Sequence, residues 1–352
     1  MSNISELDKN FKVETKIKAE DIQFHNVRNA PFKIYGVFHD NGRFRRIPTE
    51  VAKTVNETVL ALHSNTAGGR VRFMTDSPYI AIHAEMTGIL KMEHIPLTGS
   101  GGFDMYMGHD PEQYVKTFVP PYTMTDGYES IFQCGSSAMR EVTINFPTYS
   151  SVLELYVGLK EGSTILPPRE YTIEKPIVYY GSSITQGGCT SRPGNTYQSV
   201  VTRRLDADHI NLGFSGSARG ETTMAEYIAS LEMSAFVYDY DHNAPTLEHL
   251  QKTHEPFFKI IRQAHPDIPI VMMTQPVYKL SQSDQRLKTI KKTYENALAA
   301  GDKNVYFLDG TALMEMAGHD GTVDGCHAND LGFRSMAKAV GDVLEKALKG
   351  TN

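Results

Sequence analysis

Two short stretches carry residue types able to do covalent chemistry. In Ile177-Val178-Tyr179-Tyr180-Gly181-Ser182-Ser183-Ile184-Thr185-Gln186-Gly187-Gly188 a serine follows an apolar, strand-like run on a glycine-flanked turn, where a nucleophile can meet a substrate. About 140 residues later, Asp324-Gly325-Cys326-His327 sets a carboxylate three positions before a histidine. A serine hydroxyl is a poor nucleophile at neutral pH, so it needs a base within hydrogen-bond reach and donors for the oxyanion that develops. On a turn, the three-residue offset lets Asp324 reach one imidazole nitrogen of His327, fixing the tautomer and leaving the other nitrogen to take the serine proton. Taken singly, the serine also fits a hydroxyl-capped turn, and the Asp/His pair fits a helix cap. Together they point to a serine hydrolase.

Two further segments offer oxyanion donors. Asn211-Leu212-Gly213-Phe214-Ser215-Gly216-Ser217 ends a strand-like run in glycines, which let a backbone amide face a site with no side chain in the way. Gly216 is the candidate there, a flexible turn the plain alternative. In Tyr238-Asp239-Tyr240-Asp241-His242-Asn243-Ala244-Pro245 the Asn243 amide is a neutral donor that pH cannot remove, although asparagine also suits turns and caps. The same segment admits a metal reading through Asp239, Asp241 and His242, but no second histidine cluster stands at ligand spacing.

The elements that must position these residues follow from a change of rhythm. From about residue 30 to 160 the pattern alternates with period two: Ile80, Ile82, Ala84 and Met86 share one face, as do Leu153, Leu155, Val157 and Leu159. Turn clusters such as Thr98-Gly99-Ser100-Gly101-Gly102 and Asp126-Gly127 separate the runs, which predicts an antiparallel, jelly-roll-like sandwich over residues 1–165. Glu161 to Lys175, rich in proline, reads as a linker. After it, residues 174–352 show strand-like runs at Ile177–Gly181, His209–Gly213, Ala235–Tyr240, Pro269–Thr274 and Asn304–Leu308. Helical patterns lie between and after them: Tyr197, Val200, Val201 and Leu205, then Phe333, Met336, Ala337, Val340, Val343 and Leu344. Alternating strands and helices predict an α/β domain with a parallel sheet covered on both faces, whose ligands sit beyond the carboxyl ends of the strands.

At 352 residues the chain is long enough for two domains, each burying its own core. Its net charge of -6, from 35 basic and 41 acidic residues that are well mixed, excludes the basic stripe that nucleic acid requires. Met1 to Asn10 is polar and charged where a secretory signal needs an apolar run of about 7–15 residues. No apolar stretch of roughly 18 residues predicts a membrane span. Three cysteines, Cys134, Cys189 and Cys326, make neither an even framework nor a CxxC pair, which fits a reducing compartment, and a cytoplasmic protein is expected.

The four segments, in this order, resemble the SGNH superfamily of GDSL-type esterases and acylhydrolases over residues 176 to 348. The resemblance implies a flavodoxin-like domain with a five-stranded parallel sheet, Ser183 as nucleophile, Asp324 and His327 as the terminal DxxH pair, and the amides of Ser183 and Gly216 with Asn243 as the oxyanion hole. Ser182 stands where the family has aspartate, and register against Gly181 and Thr185 favours Ser183 over it. Asp241 and Ala244 stand where the family has glycine before its asparagine and aspartate after it. Gly102-Phe103-Asp104-Met105-Tyr106 is similar to the G-x-D-L-Y signature of sandwich domains that precede some bacterial SGNH esterases. It implies a domain that shapes the substrate cleft, with Asp104 and Tyr106 on the substrate, and Tyr106 and Tyr122 able to stack on a sugar face. The expected reaction is cofactor-free and metal-free hydrolysis of a short acyl ester, acetyl in the first instance, on a carbohydrate. A metal-dependent hydrolase and a non-catalytic carbohydrate-binding protein are the alternatives, and a homo-oligomer is left open.

Overall fold

The structure, a computed structural model, describes residues 16–279, 281 and 284–349. Two antiparallel sheets face each other in the N-terminal part. One runs in the order Ile22–Asn26, Val152–Lys160, Tyr79–Met86, Gly127–Gln133. The other runs Ile165–Leu166, Arg70–Thr75, Arg140–Asn145, Phe103–Met107, Gln113–Phe118, and Lys33–Tyr35 also pairs with Arg70–Thr75. Ile80, Ile82, Ala84 and Met86 are buried together, as their alternation predicts, against Phe73, Phe103 and Val142 of the facing sheet. The other predicted stripe needs one correction. Val152, not Leu153, enters the core with Leu155, Val157 and Leu159, because the pairing register shifts between Val152 and Glu154. Such a bulge turns the extra residue away from the face its parity assigns.

The second part is a five-stranded parallel sheet in the order Ala207–Gly213, Ile173–Gly181, Ala235–Asp239, Ile270–Met273, Val305–Leu308. Numbered along the chain, that order is 2-1-3-4-5, the flavodoxin-like arrangement. The three central strands are buried on both faces from Ile177 to Gly181, Ala235 to Asp239 and Ile270 to Met273, which is why those runs read as continuously apolar. Val178, Tyr180, Phe236, Tyr238 and Met272 meet Leu250, Phe257 and Ile261 of the helix Leu247–Ala264. On the opposite face, Ile177, Tyr179, Val237 and Val271 meet Val201 of the helix Tyr197–Leu205 and Phe333, Met336, Val340 and Leu344 of the helix Asp330–Lys349. No helix among the described residues is long and apolar enough to cross a membrane.

The two parts do not keep their cores wholly to themselves. Helices Thr49–Val55 and Glu57–Leu62, which precede most of the sandwich strands, place Ala52 and Val59 against Met224, Ala225 and Ile228 of the α/β layer. Arg46, buried between the parts, donates to the carbonyl oxygens of Asn65 (2.8 Å), Leu62 (2.9 Å), Asn211 and Gly213, with its guanidinium 4.5 Å from the centre of the Phe214 ring. The segment read as a linker is also tied down at both ends. Ile165–Leu166 pairs with Arg70–Thr75, and the first parallel strand begins at Ile173. A two-residue strand is too short to show a period.

Candidate active site

Ser183 opens the one-turn helix Ser183–Gln186 directly beyond the first parallel strand. The turn is tight enough to demand glycine at two neighbouring positions. A Cβ on Gly181 would lie 1.7 Å from Asp239 Oδ1, and one on Gly213 would lie 2.1 Å from the Gln186 amide nitrogen. Ser182 caps the helix, its Oγ accepting the Ile184 amide at 3.2 Å. Gly187, at φ 101°, closes it. The two adjacent hydroxyls therefore have different environments, and the one at 183 faces the histidine.

His327 Nε2 lies 2.9 Å from Ser183 Oγ, and His327 Nδ1 lies 2.7 Å from Asp324 Oδ2. Asp324 Oδ1 also accepts the amides of Cys326 (2.9 Å) and His327 (2.7 Å), so the carboxylate organises its own turn, for which Gly325 supplies a φ of 85°. Burial alone would raise the Asp324 carboxyl; those two amides and the His327 ring together hold it well below the usual carboxylate range. Asp330, three residues past the histidine, accepts the Ser191 amide (2.9 Å) and the Asn195 side-chain amide (2.8 Å). That ties the histidine block to the loop following the serine.

The donor segments are tied to the nucleophile turn, the Gly216 turn through Gln186 and Asn243 through Phe214. As the first residue of a helix, Ser183 has an amide with no carbonyl to bond one turn earlier. Gly216 adopts φ 68° on an exposed turn, with open space where a Cβ would stand. Asn243 Nδ2 donates to the Phe214 carbonyl at 3.3 Å, which sets its side chain against the Gly216 turn. Gln186 steadies that turn: its Oε1 accepts the Ser215 amide at 3.0 Å while its Nε2 donates to Asn65 Oδ1 at 3.1 Å.

One sequence expectation fails, and one of its alternatives falls with it. Asp104 and Tyr106, expected on the substrate, are 0% and 3% exposed and lie at the seam between the parts. Asp104 accepts from Arg192 Nη1 (2.8 Å), the Gly194 amide (2.9 Å) and Asn145 Nδ2 (2.9 Å), while Tyr106 donates to the Gly194 carbonyl (3.3 Å) beneath the Arg203 guanidinium. A carboxylate so enclosed and so fully bonded has nothing left to offer a ligand. Tyr122 is different: it is 70% exposed, with Lys91 Nζ 4.2 Å from its ring centre. The metal reading of Asp239, Asp241 and His242 also fails. Asp241 pairs with its neighbour His242 (2.9 Å) and accepts the Gln275 amide (2.9 Å), whereas Asp239 turns to Thr185 Oγ1, so the ligand atoms do not converge.

Residues that sequence reasoning missed also line the site. Tyr149 donates to the Ser183 carbonyl at 3.3 Å and joins Ile95, Cys189 and Met92 in a small apolar cluster beside the nucleophile turn. The His94 ring lies 5.3 Å from that of His327. His94 and Tyr149 come from the sandwich part and carry no motif of their own, so no local pattern marks them.

Fold and geometry together define an esterase-type hydrolase with a flavodoxin-like domain and an accessory sandwich. Residues 174–345 belong to the GDSL-like lipase/acylhydrolase family, and residues 22–165 match the N-terminal domain of SGNH-hydrolase-type esterases. Among solved structures, a protein from Bacteroides ovatus assigned as a GDSL-like lipase is 27% identical with a TM-score of 0.83, the alignment covering 93% of this chain and 98% of that one. The salicylyl-acyltransferase SsfX3 from a tetracycline biosynthetic pathway is 20% identical with a TM-score of 0.74, covering 95% and 98%. A family two carbohydrate esterase from Clostridium thermocellum, in complex with cellohexaose, is 13% identical with a TM-score of 0.61, covering 93% and 99%. The last two likenesses are of fold. No curated protein matches the chain by sequence.

Proposed function

We propose that the protein is a serine esterase that removes short acyl groups, acetyl first among them, from a carbohydrate. The observation that carries this is the chain of contacts from Ser183 Oγ through His327 to Asp324, at 2.9 Å and 2.7 Å. His327 Nε2 takes the serine proton as Oγ attacks the ester carbonyl, and the anionic oxygen rests on the amides of Ser183 and Gly216 and on Asn243 Nδ2. Collapse breaks the ester bond, and the proton on His327 passes to the departing alcohol. Water then attacks the acyl-serine, His327 takes its proton and returns it to Ser183 Oγ, and the carboxylic acid leaves. Asp324 stays ionised throughout and keeps Nδ1 protonated.

The short acyl group is supported by what fills the space beside the turn. Ile95, Tyr149 and Cys189, all buried, pack there with Met92. The sugar is supported by the fold neighbours, among them an acetyl xylan esterase from Butyrivibrio proteoclasticus, and by the exposed ring of Tyr122. Three unpaired cysteines support a cytoplasmic setting. The test is a panel of acetyl, butyryl and longer nitrophenyl esters alongside acetylated xylose, run on the parent protein and on Ser183→Ala. Acetyl esters should be cleaved fastest, and only by the parent. A preference for long chains would refute the acyl assignment, and cleavage by Ser183→Ala would refute the nucleophile.

A further inference from the structure

One cluster near the serine brings to the catalytic histidine two residues that play no part in the hydrolytic steps. His94, Cys189 and His327 each offer a ligand atom, and the three atoms all lie within 4.8 Å of one another. They come from three separate places: a loop of the sandwich, the loop after the nucleophile turn and the terminal histidine block. Cys189 holds φ 70°, a conformation that a β-substituted residue rarely adopts and that persists only where its surroundings impose it.

Two imidazoles and a thiol suit Zn²⁺ or a similarly soft ion, and they do not suit Mg²⁺ or Ca²⁺, which prefer oxygen. The histidine at the centre is also prepared for such an ion. Asp324 holds His327 Nδ1 at 2.7 Å, the carboxylate–histidine arrangement that orients a ligating imidazole and strengthens its free nitrogen. That free nitrogen is Nε2, the atom 2.9 Å from Ser183 Oγ. It has one lone pair, so it cannot take the serine proton and hold a metal ion at once.

We propose that His94 and Cys189, with His327 Nε2, bind a thiophilic divalent cation, of which Zn²⁺ is the type, and that its binding switches off ester cleavage by occupying the base. The inference rests on the reading of His327 as that base. Binding replaces the thiol proton with a sulfur–metal bond and releases the proton to solvent, so no oxidation is involved, and a water completes a four-coordinate site.

The test uses the full chain, with Cys189→Ser and His94→Ala alongside the parent. Co²⁺ is titrated first, because a thiolate ligand gives a sulfur-to-cobalt charge-transfer band that reports the site without reference to activity. Ester cleavage is then followed against Zn²⁺, each variant being compared with its own metal-free rate. The parent should show the band, lose activity as Zn²⁺ is added and regain it when a chelator removes the metal. Cys189→Ser should lack the band, and both variants should need at least about tenfold more Zn²⁺ for half inhibition. No band in the parent, full activity at saturating Zn²⁺, or the same half-inhibition point in all three proteins would each overturn the proposal. A parent that cleaves no ester in the absence of metal would instead refute the esterase reading, and the cobalt spectrum would still decide the site.

Discussion

Asp104 Oδ2 sits 2.8 Å from Arg192 Nη1 and joins the end of a sandwich strand to the loop that follows the nucleophile. From the other side, Asp330 grips the same loop at Ser191 and Asn195. The sandwich thereby holds one wall of the cleft in place, and it does so through residues that no substrate reaches. Asp104→Ala would leave Arg192 and Asn145 without their shared acceptor, and a loss of about 2–3 kcal/mol in unfolding free energy is expected by denaturant titration. Tyr106→Phe should cost about 1 kcal/mol and leave KM for acetylated sugars unchanged. A raised KM at full stability would return Tyr106 to the substrate site.

The adjacent serines should separate cleanly by assay. Ser182→Ala removes a helix cap, so it should cost about 1 kcal/mol of stability while ester turnover persists. Ser183→Ala should be as stable as the parent and inert, and a fluorophosphonate should label the parent and Ser182→Ala but not Ser183→Ala. Labelling of Ser183→Ala would move the nucleophile by one residue.

Asn243 is the donor whose flanking residues depart furthest from the family pattern, although its side chain lies against the Gly216 turn. Loss of one oxyanion donor costs on the order of a hundred- to a thousandfold in turnover. Asn243→Ala should show that loss in kcat with an unchanged far-ultraviolet circular dichroism spectrum. Near-normal kcat would remove Asn243 from the oxyanion hole.

Beneath the nucleophile turn, burial pushes the Asp239 carboxyl up to about 7, against the opposing pull of His242 and Thr185. Its Oδ2 meets no hydrogen-bond partner among the described residues. The native state therefore keeps a proton that the unfolded chain gives up near 3.8, and stability attributable to this group falls as pH rises from there to about 7. Asp239→Asn, which carries no such proton, should gain on the parent as pH rises across that interval. Denaturation midpoints measured at several pH values give the check, and a constant difference between the two proteins would show that Asp239 is ionised throughout.

The architecture and the pairing of Asp324 with His327 are legible in local patterns of the chain. Period-two alternation at Ile80–Met86 and the apolar runs ending at Gly181, Gly213 and Asp239 are local patterns, and strands buried on one or both faces must display them. Asp324 and His327 lie within one turn, so their pairing was legible from spacing alone. What the tertiary structure decided involves contacts between distant segments or choices between neighbours. The bulge that replaces Leu153 by Val152 depends on the partner strand, and Ser182 becomes the cap because Ser183 meets a histidine 144 residues away. Asp104 and Tyr106 matched a signature, but only the packed seam shows that they hold a loop. His94, Tyr149 and Cys189 carry no motif, because what brings them together is the docking of one part of the fold onto the other, and periodicity carries no record of docking.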